Sequence, residues 1–232
     1  MVRCADGTGP GAFDEEQANA YAAAIDIETE FLHDQVLLEI LRQHSRGAAL
    51  DLGGGNGRYA AWLLNMGLAT SVHVIDNSPS MIDECIRRGL PGMSVQVGNI
   101  EIADLGREKY DMALARFVLM HIGELKGTLN HIAMSLKEKG AIVIVTNIID
   151  GTPTALTTFI EETSRIMKLI LQVKGKPISV SNYVRTQEDY TKASQHAGLS
   201  IEFYEKYEPK ISRLEKEHPG IMLSHLVLVG KK

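Results

Sequence analysis

The spacing of apolar and polar positions along the chain changes at Gly47. Before it, residues 13–46 carry apolar side chains near the spacing of helical turns, which predicts two helices. After it, five short apolar runs alternate with amphipathic segments, and this pattern predicts a parallel sheet with helices on both faces. The predicted strands are Ala48–Leu52, Val72–Asp76, Met93–Val97, Tyr110–Ala115 and Ala141–Thr146, and the predicted helices between them are Arg58–Met66, Pro79–Arg88 and Glu124–Lys139.

The C-terminal part of the chain carries signals for one more helix and two more strands. Thr186 and Asp189 form a variant of the capping box that starts a helix, and Gly198 ends that helix. Two apolar runs follow, at Leu199–Glu205 and Ser224–Val229. Because no helical stripe separates these runs, we expect the two strands to pair antiparallel.

The segment Gly151–Arg185 does not fit the alternation of single strands and helices. Its apolar positions predict an amphipathic helix after the fifth strand. This helix is either an ordinary packing element or a lid across the carboxyl ends of the strands, where open α/β sheets bind ligands. Its place in the chain favours the lid. Tyr183 and Arg185 are then candidates for the substrate side, with ordinary surface roles as the alternative.

Length and composition limit the protein class. A chain of 232 residues with 44% hydrophobic and 23% charged residues predicts one decorated globular domain, with a leader and helical cap at 1–46 and the main domain at 47–232. The net charge of −5 argues against a nucleic-acid partner. Two cysteines, Cys4 and Cys85, make neither a disulfide framework nor a metal site. With no signal peptide and no membrane segment in the sequence, we expect a cytoplasmic protein.

A glycine-rich turn joins the first predicted strand to the next helix. It reads Asp51-Leu-Gly53-Gly-Gly55-Asn-Gly57, and glycines allow the backbone to approach a ligand closely. The N-terminus of the following helix favours an anionic group. Gly55, Gly57 and Ala60 fit the tolerated G-x-G-x-x-A dinucleotide pattern, so the turn alone leaves NAD open as a ligand.

A fuller description of the same turn is acidic-x-G-x-G-x-G, with Asp51 on the strand and Gly53 ahead of the dinucleotide pattern. This pattern resembles motif I of the class I S-adenosylmethionine-dependent methyltransferases. The resemblance extends from about Arg46 to Thr146 through the following strands. It implies an α/β fold of the Rossmann-like, doubly wound type: a mostly parallel seven-stranded sheet with an antiparallel last strand, N-terminal helices and the inserted lid helix.

The resemblance also implies a cofactor site for S-adenosylmethionine. Asp76, at the end of the second strand, would hold the two ribose hydroxyls, and a carboxylate suits this role because it accepts from both. Asn99 stands where many family members carry Asp and would accept from the adenine amine. The implied cofactor-binding residues are Asp51, Gly53, Gly55, Gly57, Asp76, Asn77, Met81, Asn99, Ile100 and Arg116.

Three residues are candidates for the catalytic part of the site. His121, after the fourth strand, is a candidate general base, because imidazole titrates near neutral pH; the alternative is a structural histidine. Arg116 could bind the cofactor's carboxylate or an acidic substrate, or form a surface salt bridge. Tyr21 resembles the tyrosine that many small-molecule members fold over the cofactor, with core packing as the alternative.

The acceptor class follows by elimination within the family. The fourth-strand region lacks the Asn/Asp-Pro-Pro-Tyr/Phe box of nucleic-acid amino methyltransferases, the chain has no Pro-Cys nucleophile, and no Asp ends the fourth strand as the magnesium-dependent type requires. We therefore expect a metal-free enzyme, monomeric or homodimeric, that methylates O, N or C of a small organic molecule, with secondary metabolism as one setting. The alternatives are a protein of the same fold that binds S-adenosylmethionine without methylating, and an NAD-dependent oxidoreductase.

Overall fold

The structure is a computed structural model, and it describes six ranges of the chain: 30–44, 47–149, 160–161, 166–173, 176–207 and 223–232. Helix α1 (Glu30–His44) is the part of the predicted N-terminal helices inside these ranges. Tyr21 lies outside the described residues, as do the leader and the start of the helical cap.

Seven strands form the main sheet in the order β3-β2-β1-β4-β5-β10-β9. Strand β10 runs antiparallel to both β5 and β9, whereas the pairs from β3 to β5 are parallel. The predicted Rossmann-like sheet with an antiparallel last strand is therefore confirmed. The strands are β1 (Ala48–Leu52), β2 (Ser71–Asp76), β3 (Met93–Val97), β4 (Tyr110–Arg116), β5 (Leu136–Ile149), β9 (Ser200–Tyr207) and β10 (Leu223–Lys231).

Helices cover both faces of this sheet and give each face its own apolar core. One core joins the strands to α1, α2 and α3, and the other joins them to α4 and α5. The chain moves outward from β1 in one direction and from β4 in the other, so the loops after these two strands diverge and leave a crevice at their carboxyl ends. The helices are α2 (Arg58–Asn65), α3 (Pro79–Arg88), α4 (Leu125–Ser135) and α5 (Gln187–His196), with a 3-10 turn at Leu119–His121.

The prediction of a lid helix within Gly151–Arg185 is wrong, because the described residues of this segment form strands. They form a three-stranded antiparallel sheet of β6 (Ile160–Glu161), β7 (Ile166–Val173) and β8 (Lys176–Tyr183). Apolar residues in β7 recur at alternate positions as well as near helical spacing, so periodicity alone is ambiguous there. The segment forms a strand and not a helix because β7 pairs with β8 over eight positions, which gives hydrogen-bond partners to backbone N–H and C=O groups of both strands.

Helix α4 is also shorter than the sequence predicts. It ends at Ser135, and β5 begins at Leu136 instead of after Gly140. Ser135 Oγ donates to the Ile132 carbonyl at 2.7 Å within the last turn. Lys137 then pairs with Asp111 of β4 at 2.8 Å, and this ion pair holds the chain along β4 before the register shifts.

The C-terminal predictions agree with the structure. Thr186 and Asp189 form the reciprocal capping box at the start of α5, and Gly198 follows its end with a φ of 76°. Strands β9 and β10 pair antiparallel, as expected.

Candidate functional site

Two glycines of the β1–α2 turn bring three separate segments together. Gly53 has a φ of 61°, and a side chain there would lie 2.7 Å from Val118 Cβ in the loop after β4. Gly57 has a φ of 72°, and a side chain there would overlap Cys85 of α3. Both positions therefore require glycine for backbone conformation and for space. The turn can then contact the β4 loop on one side and α3 on the other.

Asp76 closes this turn from the end of β2. Its Oδ2 accepts from the Gly55 N–H at 2.9 Å, and its Oδ1 accepts from the Ser78 N–H at 2.9 Å. The Asn77 N–H is a third backbone donor to this carboxylate, which keeps acceptor capacity for a further donor. Burial raises the pKa of Asp76, and the backbone N–H groups lower it in part. The geometry fits a ligand that offers two neighbouring hydroxyls.

Asp51 is the second carboxylate of the site and is only 2% exposed. It accepts from the backbone N–H of Ala60 in the first turn of α2. Within the described ranges its Oδ2 has no hydrogen-bond partner. Burial, and then the charge of Asp76, raise the pKa of Asp51 to about 7, while Arg116 and the Ala60 N–H lower it.

The acidic character of the site changes one prediction from the sequence. The N-terminus of α2 was expected to favour an anionic ligand, but the carboxylate of Asp51 already occupies that position through Ala60. A pyrophosphate would meet the charges of Asp51 and Asp76, which disfavours a dinucleotide. An ammonium or sulfonium group would reduce the repulsion between these carboxylates. The site therefore fits a cationic ligand better than NAD.

Arg116 ends β4 beside these carboxylates. Its guanidinium carbon lies 4.4 Å from the centre of the Tyr59 ring and 4.8 Å from that of Phe117. In the described part of the chain, Nε and Nη2 of Arg116 are buried without a hydrogen-bond partner. Phe117 has a φ of 51°, in the left-handed region of backbone conformation that residues other than glycine rarely adopt. Backbone strain of this kind is concentrated at functional sites. The two rings hold the guanidinium while its donors remain available to an acidic group.

His121 lies at the end of the 3-10 turn that follows β4. Its backbone N–H donates to the Val118 carbonyl at 2.9 Å, and Val118 is the residue that contacts Gly53. Met120 meets the carboxyl end of β5, where its sulfur lies 3.6 Å from Asn147 Nδ2. The turn that carries His121 thus borders the same crevice as the glycine loop.

The residues predicted to hold adenine lie on the other side of Asp76. The Gly98 N–H donates to the Asp76 carbonyl at 2.8 Å and joins the ends of β3 and β2. Asn99 is exposed, and its Oδ1 already accepts from the Glu101 N–H at 2.9 Å, so its adenine contact stays a prediction. The roles of three further candidates also remain predictions; these are Asn77, which is exposed, and Met81 and Ile100, which are buried.

Comparison with known families identifies this arrangement. Residues 50–144 match the family described as methyltransferase domain, and this segment contains the glycine turn, Asp76 and the β4 turn. Residues 50–144 are therefore a methyltransferase domain, and solved structures of S-adenosylmethionine-dependent methyltransferases share the fold of the chain. The methyltransferase domain thus carries the candidate cofactor residues. Asp51 and Arg116 have buried atoms without a partner among the described residues, and the chemistry of these atoms fits the ammonium and the carboxylate of S-adenosylmethionine.

Individual relatives are distant in sequence. Malonyl-(acyl-carrier protein) O-methyltransferase of Paenibacillus sp. (strain JDR-2) is 23% identical over 145 residues, which are 58% of this chain and 52% of the relative. This chain therefore spans about half the length of that relative. Phosphoethanolamine N-methyltransferase 2 of Haemonchus contortus has a TM-score of 0.75 at 15% identity, over 100% of this chain and 60% of its own. A (4+2)-cyclase has a TM-score of 0.64 at 14% identity, over 85% and 80% of the two chains. The solved structures share the fold.

The described ranges show neither a metal centre nor a membrane-spanning helix. No group of three or more His, Cys, Asp and Glu side chains there could hold a metal ion. None of the helices in these ranges has both the length and the apolar composition of a membrane span.

Sequence reasoning missed several contacts of the methyltransferase domain. Tyr59, which stacks on Arg116, follows the glycine turn and reads as an ordinary helix residue. Asn147 has a buried Oδ1 that lacks a partner in the described ranges, although the sequence shows only a polar residue at a strand end. Arg185 is buried, so the surface role weighed for it is wrong. A polar residue at the carboxyl end of β5 was the one usable signal for Asn147.

The two interacting carboxylates of Asp51 and Asp76 predict that the affinity for S-adenosylmethionine depends on pH. Because the pKa of Asp51 is about 7, its ionised form is depleted at lower pH, whereas the positive charge of S-adenosylmethionine favours that form. One pH unit below the pKa, binding should release about one proton, and affinity should fall by up to about tenfold per further unit of acidification. Calorimetry in buffers of different ionisation enthalpy measures the released proton.

The matched variants for this test are Asp51→Asn and Asp83→Asn. Asp51→Asn should bind more weakly and lose most of the proton release, whereas Asp83→Asn, on the exposed side of α3, should behave as the wild type. Equal proton release in wild type and Asp51→Asn would contradict this account of the site.

Proposed function

We propose that the chain transfers the methyl group of S-adenosylmethionine to O, N or C of a small organic molecule. One observation carries the proposal: the buried carboxylate of Asp51 interacts electrostatically with the half-buried carboxylate of Asp76 and with the Arg116 guanidinium, two of whose nitrogens lack a partner in the described ranges. This set of charges complements a ligand with two hydroxyls, an ammonium and a carboxylate.

The cofactor roles follow from this complementarity. Asp76 would accept from the ribose hydroxyls with the acceptor capacity that Gly55, Asn77 and Ser78 leave open. Asp51 would face the ammonium, and Arg116 would bind the carboxylate with the two nitrogens that have no partner among the described residues. These three side chains would fix the orientation of the sulfonium toward the β4 turn.

The protein has few chemical tasks in such a transfer. When bound, S-adenosylmethionine supplies an electrophilic methyl group whose reactivity belongs to the cofactor. The chain must hold the acceptor atom in line and exclude water from it. His121 would take the proton from an acceptor that arrives protonated, and Tyr21 would fold over the cofactor from the N-terminal segment.

Two observations support a small acceptor, and the names of two relatives indicate which acceptor atoms to test first. The acidic charge of the chain gives no general basic footprint for a nucleic acid. Strand β8 of the insertion packs against the 3-10 turn, where it can border an acceptor site. The names of two relatives describe a malonyl group on a carrier protein and phosphomonomethylethanolamine, so a carboxylate oxygen and an amine nitrogen are the first acceptor atoms to test.

The fold is also compatible with a different reaction. One of the similar structures is a (4+2)-cyclase, so a site of this shape can serve chemistry other than methyl transfer. Formation of S-adenosylhomocysteine separates the two functions, because a protein that only binds the cofactor does not produce it.

Methyl-labelled S-adenosylmethionine tests the proposal directly. The wild-type chain should transfer label to a component of the low-molecular-weight filtrate of a cell extract, or to phosphoethanolamine or malonyl carrier protein as defined acceptors. S-adenosylhomocysteine should form in equal amount. If the chain binds the cofactor but forms no S-adenosylhomocysteine with any of these acceptors, the non-methylating alternative is supported. If label appears only in the malonyl carrier protein, the proposal that the acceptor is a free small molecule is overturned.

His121 provides a test that separates catalysis from binding. His121→Ala should leave the affinity for S-adenosylmethionine nearly unchanged and should lower kcat by about 10²- to 10⁴-fold, the usual range for general acid–base catalysis. The wild-type rate should also fall on the acid side as the imidazole takes up a proton, and the variant should lose this dependence. His131→Ala, on α4, serves as the matched control. Near-normal turnover of His121→Ala on the labelled acceptor would remove the base role.

A further inference from the structure

The guanidinium of Arg185 is buried behind the turn that carries His121. Only 8% of Arg185 is exposed, although it lies between β8 and the N-terminal cap of α5. Its Nη1 donates to the Leu119 carbonyl at 2.7 Å, and its Nη2 donates to the carbonyls of Ile122 and Gly123, the latter at 3.1 Å. One side chain thus bonds to the backbone on both sides of His121.

Arg185 gives these carbonyls a donor from outside the turn. The Leu119 carbonyl already accepts from the Ile122 N–H at 3.2 Å, and Arg185 is its second donor. The carbonyls of Ile122 and Gly123 lie beyond the end of the 3-10 turn at His121 and accept from the same guanidinium. Arginine suits the position because its donors form a rigid, always charged fork that can reach several oxygens at once. A lysine ammonium is a single point and cannot span the same carbonyls.

The guanidinium is itself held on its other side. The Tyr190 hydroxyl of α5 shares a hydrogen bond with Arg185 and lies 3.0 Å from Thr146 Oγ1 of β5. The Tyr183 ring of β8 lies 5.0 Å from the guanidinium carbon. Arg185 therefore connects the insertion, α5 and the main sheet to one short turn.

We propose that Arg185 is a positioning residue for methyl transfer: it fixes the Leu119–Gly123 turn so that His121 faces the reacting methyl group. This catalytic part rests on the proposed function. On the other side of the turn, Val118 packs against Gly53, so the turn is held between the glycine loop and Arg185. Loss of the fork would leave the cofactor residues at the ends of β1 and β2 in place and free the turn.

The matched variants are Arg185→Lys, which keeps the charge and loses the fork, and Arg107→Lys, which makes the same change at an exposed position. Arg185→Lys should lower kcat by about 100-fold, the effect of a misplacement near 1 Å, with nearly unchanged affinity for S-adenosylmethionine. Amide hydrogen exchange should accelerate within 119–123 and not in β1 or β2. Arg107→Lys should match the wild type in all three measurements.

A double variant separates positioning from general stability. If Arg185 acts through His121, Arg185→Lys combined with His121→Ala should be no slower than His121→Ala alone. Fully additive losses, faster exchange across the whole chain, or unchanged exchange in 119–123 would each overturn the proposal. If the wild type forms no S-adenosylhomocysteine, the proposed function and the catalytic role of Arg185 fail together, while confined faster exchange would still establish Arg185 as the anchor of the turn.

Discussion

The buried carboxylate of Asp51 is the constraint around which the site is organised. An unsatisfied buried polar atom costs about 1–3 kcal/mol, and a charged one costs more. Here one oxygen of Asp51 lacks a partner in the described ranges, and Asp76 adds a second negative charge nearby. A ligand that supplies a donor or a positive charge removes this cost. The Ala60 N–H and Arg116 offset part of this cost, and a cationic cofactor would offset the rest.

The glycine turn follows from the same constraint. Asp51 reaches the N-terminus of α2 only because the turn between them is tight, and a side chain at Gly54 would lie 2.6 Å from Asp51 Oδ2. Asp76 then fixes the turn through Gly55. The charges that would orient the cofactor are therefore also the hydrogen-bond acceptors that shape its binding loop. Binding and local folding depend on the same two side chains.

The candidate site divides into two parts with different supports. The ends of β1, β2 and β3 carry the groups for cofactor binding and are linked by backbone hydrogen bonds. The turn after β4 carries His121 and is supported by Val118 on one side and Arg185 on the other. This division predicts that changes in the turn affect the rate more than the cofactor affinity.

The sequence predicts the first part well, because its signals are local. Asp51, the glycines and Asp76 stand next to strand ends that apolar runs mark clearly. The predicted helix Pro79–Arg88 is confirmed with the same bounds, and Ser78 is its N-cap. The insertion was predicted as a helix because its apolar spacing is ambiguous and its pairing of β7 with β8 is not visible in periodicity. Arg185 contacts carbonyls about sixty residues away, so no local pattern signals its role.

The most direct test of the account is calorimetric titration with S-adenosylmethionine and with NADH, on the wild type, Asp76→Ala and Asp83→Ala. We predict that the wild type and Asp83→Ala bind S-adenosylmethionine alike and do not bind NADH. Asp76→Ala should bind S-adenosylmethionine about 10- to 100-fold more weakly, since a charge-assisted hydrogen bond contributes roughly 1.5–3 kcal/mol. Binding of NADH by the wild type, or unchanged affinity in a folded Asp76→Ala variant, would contradict the account.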